Sequence, residues 1–163
     1  MCKIRLSSQD IRDFLSEFSQ ENYNDLIYNE FSLQFELGFF LRKRGFKVYF
    51  ELNIKNVVAS NKNIDPSEFV KKEMDLFVIN SDGSKSAIEL KFPTHNAYKK
   101  RMRDSEKDIT FMEQVNKIDG FDKTYCLMLV HNNDIGRKYR EKINNVRWEQ
   151  AGDAFLFYIK EIG

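Results

Sequence analysis

Cysteine is nearly absent from the 163 residues: only Cys2 and Cys126 occur, too few for a disulfide-stapled secreted scaffold, and both are read as free thiols. Together with the two histidines, His95 and His131, they never reach a CxxC or HxxxH spacing, so the sequence offers no structural zinc site. Two prolines and seven glycines exclude collagen-like and low-complexity chains and leave no Gly/Ser linker between domains. Charge of one sign is missing too. Against 25 acidic residues stand 26 basic ones, a net charge of +1, so a polyanionic partner would have to be met by a local patch. The longest apolar runs, such as Cys126-Leu127-Met128-Leu129-Val130, fall far short of the ~20 residues that cross a bilayer, and Met1-Cys2-Lys3-Ile4-Arg5 has no signal-peptide core. These absences predict a soluble cytoplasmic protein with no membrane partner. Gly-rich phosphate loops, nucleophile elbows and heptad runs are also lacking.

What is present is apolar and aromatic. Hydrophobic residues make up 42% of the chain, with 15 Phe and 7 Tyr, which demands a packed interior, and the length suits one domain over residues 1–163. Ser7-Ser8-Gln9-Asp10 has capping-box spacing, and Ile11, Phe14, Leu15 and Phe18 follow at helical intervals, predicting a helix over 8–20. A longer helix is expected from 23 to 44, so densely apolar that most of its surface should be covered; Gly45 ends it. Phe46, Val48, Phe50, Leu52 and Ile54 alternate with polar residues as the inner face of a strand. Strands over 71–80 and 85–92, joined at Ser81-Asp82-Gly83-Ser84, read as a hairpin. A helix over 103–119, a strand over 123–131, a polar region over 132–148 that reads as irregular or helical, and a strand over 154–159 complete an α/β chain with one central mixed sheet flanked by helices.

One constellation carries chemistry. Glu89 and Lys91, two residues apart in a strand, project from the same face, while Ile88, Leu90 and Phe92 face the core. Asp75 interrupts an apolar run on the preceding strand, and residues 75 and 89 are equidistant from turn position 82, which sets them opposite each other. Two adjacent carboxylates repel unless a hard divalent cation lies between them, and Mg²⁺ accepts one or two carboxylates while keeping waters and phosphate oxygens. Glu30 and Gln34, one turn apart on the apolar second helix, point toward the same sheet.

Helical Glu30, Asp75 on one strand and Glu89-Leu90-Lys91 on the next, followed by a helix and a strand, resemble the PD-(D/E)XK phosphodiesterase superfamily of restriction-endonuclease-like nucleases. The resemblance covers an αβββαβ core over about 23–131. Asn29 to Gln34 and Lys107 to Gln114 also look like stretches of its small, uncharacterised bacterial members. Met74 stands where the superfamily pattern has proline before the aspartate. The resemblance implies Asp75, Glu89 and Glu30 as metal ligands for Mg²⁺ or Mn²⁺, the Leu90 carbonyl as a further ligand, Lys91 as the catalytic lysine and Gln114 as a site-lining residue. DNA is the implied substrate. Gln34 and Glu51 are further candidates for lining the site, and Lys99, Lys100, Arg101 and Arg103 for contacting phosphates. Cutting two strands would suit a two-fold homodimer. Two other readings use the same residues: a catalytically silent nuclease-fold subunit that binds nucleic acid or joins an assembly, and a protein-interaction module built on the many Phe and Tyr.

Overall fold

The computed structural model describes residues 4–20, 25–94 and 98–163. Cys2, His95 and the expected start of the second helix at residue 23 lie outside them. Helix α1 covers Ser8–Gln20 and α2 Glu30–Lys43; strand β1 covers Lys47–Asn53 and the short α3 Ile54–Val58. A 3₁₀ turn at Pro66–Glu68 leads to β2 at Glu73–Ile79 and β3 at Lys85–Lys91. Then come α4 at Tyr98–Asn116, β4 at Phe121–His131, α5 at Asp134–Lys142, β5 at Glu149–Ala151 and β6 at Phe155–Ile162.

The capping box at the start of α1 forms: the Ser7 backbone N–H donates to Asp10 Oδ2 at 2.9 Å, and Asp10 N–H donates back to Ser7 Oγ at 3.4 Å. Helix α2 begins seven residues later than the apolar pattern suggests. Asn29 accepts from Ser32 N at 2.8 Å while Ser32 Oγ accepts from Asn29 N at 3.0 Å, and this reciprocal cap outranks the hydrophobicity of Leu26 and Ile27. Its surface is also less covered than expected. Phe31, Phe35 and Phe39 form an exposed ridge at i, i+4 and i+8, with successive ring centroids 6.5 and 4.6 Å apart.

The six strands form one mixed sheet in the order β1-β2-β3-β4-β6-β5. Only β3 and β4 run parallel, joined by α4; the other neighbours are antiparallel. On one face, α1 and α2 bury Ile11, Phe14, Leu33, Leu37 and Leu41 against Leu76, Val78, Ile88, Leu90, Leu127 and Leu129. On the other, α3 and α4 bury Ile54, Phe111, Met112 and Val115 against Met74, Phe77, Ala87 and Cys126. A third cluster sits under α5, where Tyr139 meets Val130, Leu156 and Tyr158. Trp148 packs edge-on against Tyr158 and donates to the Ile143 carbonyl at 2.9 Å.

The alternation of β1 and β2 changes face in mid-strand. Val48 and Phe50 pack with the α2 layer but Leu52 and Ile54 with the α4 layer, and on β2 Leu76 and Val78 belong to the first layer but Met74 to the second. The expectation of one continuous inner face from Phe46 to Ile54 is corrected accordingly. Glu51, at φ 51°, is the one positive-φ residue other than glycine among the described residues, and this kink turns the pleat over. A side chain held there costs about 1–3 kcal/mol and persists only where its surroundings fix it. Glu51 lies between the paired positions Phe50↔Leu76 and Leu52↔Met74, opposite Asp75.

Candidate active site

The ladder between β2 and β3 ends at Leu76↔Ile88, so the next pair in register would be Asp75 and Glu89. There the strands exchange side-chain contacts in place of ladder bonds. Leu90 N–H donates to Asp75 Oδ2 at 2.7 Å, and Asp75 N–H donates to Glu89 Oε1 at 3.3 Å. In an extended strand the N–H and C=O of one residue point toward the same neighbour, so the Leu90 carbonyl also looks toward the Asp75 side.

Around this opening the charges form a chain. Lys71 Nζ contacts Glu89 Oε2 and lies 2.8 Å from Asp108 Oδ1. Lys91 Nζ lies 3.1 Å from Asp108 Oδ2 and 3.6 Å from Glu30 Oε1. The other Glu30 oxygen accepts from Phe92 N–H at 3.1 Å. Glu89 is only 1% exposed and Asp108 5%. Four carboxylates and two ammoniums share the space, an excess of two negative charges if all ionise.

Burial and crowding shift these groups. Burial pushes the Asp75 carboxyl up to about 6 from its ordinary 3.8, against the opposing pull of Lys71 and the Leu90 N–H. Glu89 is raised well above its usual range, by burial first and then by the Asp75 charge. Burial lowers Lys91, but Asp108 and Glu30 outweigh it and keep the amine above its ordinary value. Lys91 is therefore a fixed cation at neutral pH.

Gln34 holds the strained segment. It is 5% exposed, and its Nε2 donates to Glu51 Oε1 at 2.8 Å and to the Asp75 carbonyl at 2.6 Å. Glu51 thereby reaches Gln34 on the α2 side of the sheet. Gln114 is not brought to the carboxylates. Its amide accepts from Val70 N–H at 2.9 Å and donates to the Glu68 carbonyl at 3.0 Å, tying the segment before Lys71 to α4.

The four basic candidates lie on the first turns of α4, which starts at Tyr98. Arg101, seven residues before Asp108, shares its helix face and lies 4.0 Å from Asp104. Lys99 and Arg103 turn toward a neighbouring hollow with Met102 and Glu106. That hollow continues into a groove of about 590 Å³ between α4, the segment after α5 and β6, lined by Ile109, Val146, Ile159 and the cations Lys142, Arg147 and Lys160. Ser105 and Tyr158, hydrogen-bonded at 3.1 Å, separate this groove from Glu89, Lys91 and Asp108.

Lys71 and Asp108 escaped the sequence reading. A signal for Asp108 exists: with Phe111, Met112 and Val115, all fully buried, it occupies i, i+3, i+4 and i+7 on the inward stripe of α4. Lys71 carries no comparable mark.

Among the described residues, no group of three or more His, Cys, Asp or Glu is placed to hold a metal ion, and no helix is long and apolar enough to cross a membrane. Fold and site thus define an α/β chain whose six-stranded mixed sheet, flanked by helices, opens at its β2/β3 junction onto buried carboxylates and lysines. No protein-family model, curated protein or solved structure matches it.

Proposed function

We propose that this chain is a metal-dependent nuclease of the PD-(D/E)XK kind, with a restriction-endonuclease-like core, that hydrolyses phosphodiester bonds in DNA. The observation that carries this reading is the Asp75/Glu89 pair, joined by the Asp75 N–H to Glu89 contact and both pushed upward, with Lys91 two residues further along β3. The donors suit a hard divalent ion: two carboxylates is the number Mg²⁺ ordinarily takes from a protein, with a carbonyl and waters completing the shell. Asp75, Glu89 and the Leu90 carbonyl would hold Mg²⁺ or Mn²⁺. Bound there, the ion would acidify a water and take up charge developing on the phosphodiester.

The chain's own residues do the rest. Glu30 and Asp108 aim Lys91 from two sides, so its ammonium is presented without a rotamer search and can steer the attacking water or a phosphate oxygen. Gln34 fixes the backbone of Asp75 and the kink at Glu51. Cations on α4 and along the adjoining groove supply phosphate contacts that a net charge of +1 does not.

Cleavage of supercoiled plasmid in Mg²⁺ tests the proposal. Glu89→Gln and Lys91→Ala are expected to lose about a hundredfold or more in rate. Either variant cutting as fast as the parent overturns it. A second reading, an assembly subunit without cutting activity, draws on the exposed Phe31, Phe35 and Phe39 ridge. It gains if DNA is shifted on a gel while no divalent ion binds.

A further inference from the structure

We infer that Lys71 is the resident cation of this site and sets how readily a divalent ion enters it; the inference rests on the reading of Asp75 and Glu89 as metal ligands. Both Glu89 oxygens are engaged, Oε1 by the Asp75 N–H and Oε2 by Lys71. An ion approaching Glu89 at Oε2 meets the ammonium already there and competes with it for that oxygen. Neutralising Asp108 does not depend on Lys71, because Lys91 already lies 3.1 Å from Asp108 Oδ2. Glu89, by contrast, meets no other cation among the described ion pairs.

The backbone around Lys71 is built to keep its head at this post. Gln114 grips Val70 N–H and the Glu68 carbonyl on one side, and the Lys72 carbonyl accepts from Ile54 N–H at 2.7 Å on the other. The Lys71 stem passes the Phe111 ring, with Nζ 5.7 Å from its centroid, and the side chain is one-quarter exposed. Pinned at the backbone but free to rotate along four side-chain bonds, Lys71 can leave Glu89 and keep Asp108. With all four carboxylates ionised an excess of two negative charges remains even with Lys71 in place, so a divalent ion that displaces Lys71 from Glu89 neutralises that excess, and Lys71 becomes a second lysine facing the phosphate beside Lys91.

Calorimetric titration of the metal-free full chain with Mn²⁺ tests this without any cleavage assay. Lys71→Met, close in shape and uncharged, is expected to bind Mn²⁺ about tenfold more tightly or better, because a cation within ion-pair distance of the ligand is gone. Lys71→Arg, which keeps the charge, is expected to bind no more tightly than the parent. Should Lys71→Met fail to fold, Gln114→Ala, which unpins the segment and leaves every carboxylate in place, is expected to tighten binding severalfold. Parent and Lys71→Met binding alike, or Lys71→Met binding more weakly, overturns the role of Lys71 and leaves the metal site standing. No binding by either, with both folded, overturns the metal reading together with this one.

Discussion

Asp75 is where burial and function pull against each other. Its carboxyl stands at about 6 in the folded chain against an ordinary 3.8, so folding takes up a proton between those values. An acid with a raised folded value contributes stability that is fully present below the unfolded value, falls away as pH rises toward the folded value and is gone above it. Metal-free protein is therefore expected to lose stability as pH climbs from about 4 to about 7. Asp75→Asn keeps the acceptor for Leu90 N–H and removes the charge. In urea unfolding with a chelator present, it is expected to be more stable than the parent by about 2 kcal/mol at pH 8, the gap closing at about pH 4. A variant less stable than the parent at pH 8 would show that Lys71 fully compensates the buried charge.

Elements with a strong period were legible in the sequence, and the site followed as far as that period reached. The alternation of Lys85–Lys91 and the turn centred on residue 82 placed Asp75 opposite Glu89, and the register Leu76↔Ile88 agrees. Local chemistry that overrides periodicity was not legible. The Asn29 cap shortens α2, and the kink at Glu51 flips the face of β1; neither is written in hydrophobicity. Asp108 hides in a charged stretch, Asp104 to Asp108, that looks solvated until the phase of Phe111 and Met112 is followed back one turn. Helix α5 falls in the stretch over 132–148 that reads as irregular or helical; Ile135, Tyr139 and Ile143 form its short apolar stripe, and a close approach to β4 fixes its seat. A Cβ on Gly136 would stand 1.8 Å from the His131 carbonyl oxygen, a backbone atom that cannot step aside. Gly136→Ala is thus expected to cost about 2–3 kcal/mol, although alanine is the better helix former, and to lower the melting temperature by roughly 5–10 °C. Calorimetry that finds it as stable as the parent would mean α5 can lift off β4 freely.

At the scale of the whole molecule the question is how a nearly neutral chain would grip a polyanion. The sheet order puts the β2/β3 opening away from both edges, with α2 over one face and α4 over the other, so on the proposed reading DNA would approach it alongside a helix. The groove beside α4 lies behind the Ser105–Tyr158 pair, so on the proposed reading it would hold phosphates flanking the opening rather than lead into it. Lys99 and Arg103 stand at one end, Lys142, Arg147 and Lys160 further along, against Glu106 and a Glu161 already paired with Lys123. Each phosphate contact releases counterions, so binding weakens with salt in proportion to the number of contacts. Removing two cations by Arg103→Ala and Arg147→Ala is expected to flatten the log–log salt slope by about 1.8 for duplex DNA, or about 1.4 for a single strand. Fluorescence anisotropy of a labelled oligonucleotide in chelator reads this without cleavage. A slope unchanged in the double variant, with parent binding intact, would move the DNA path off this groove and toward the phenylalanine ridge of α2, where the slope would be shallower from the start.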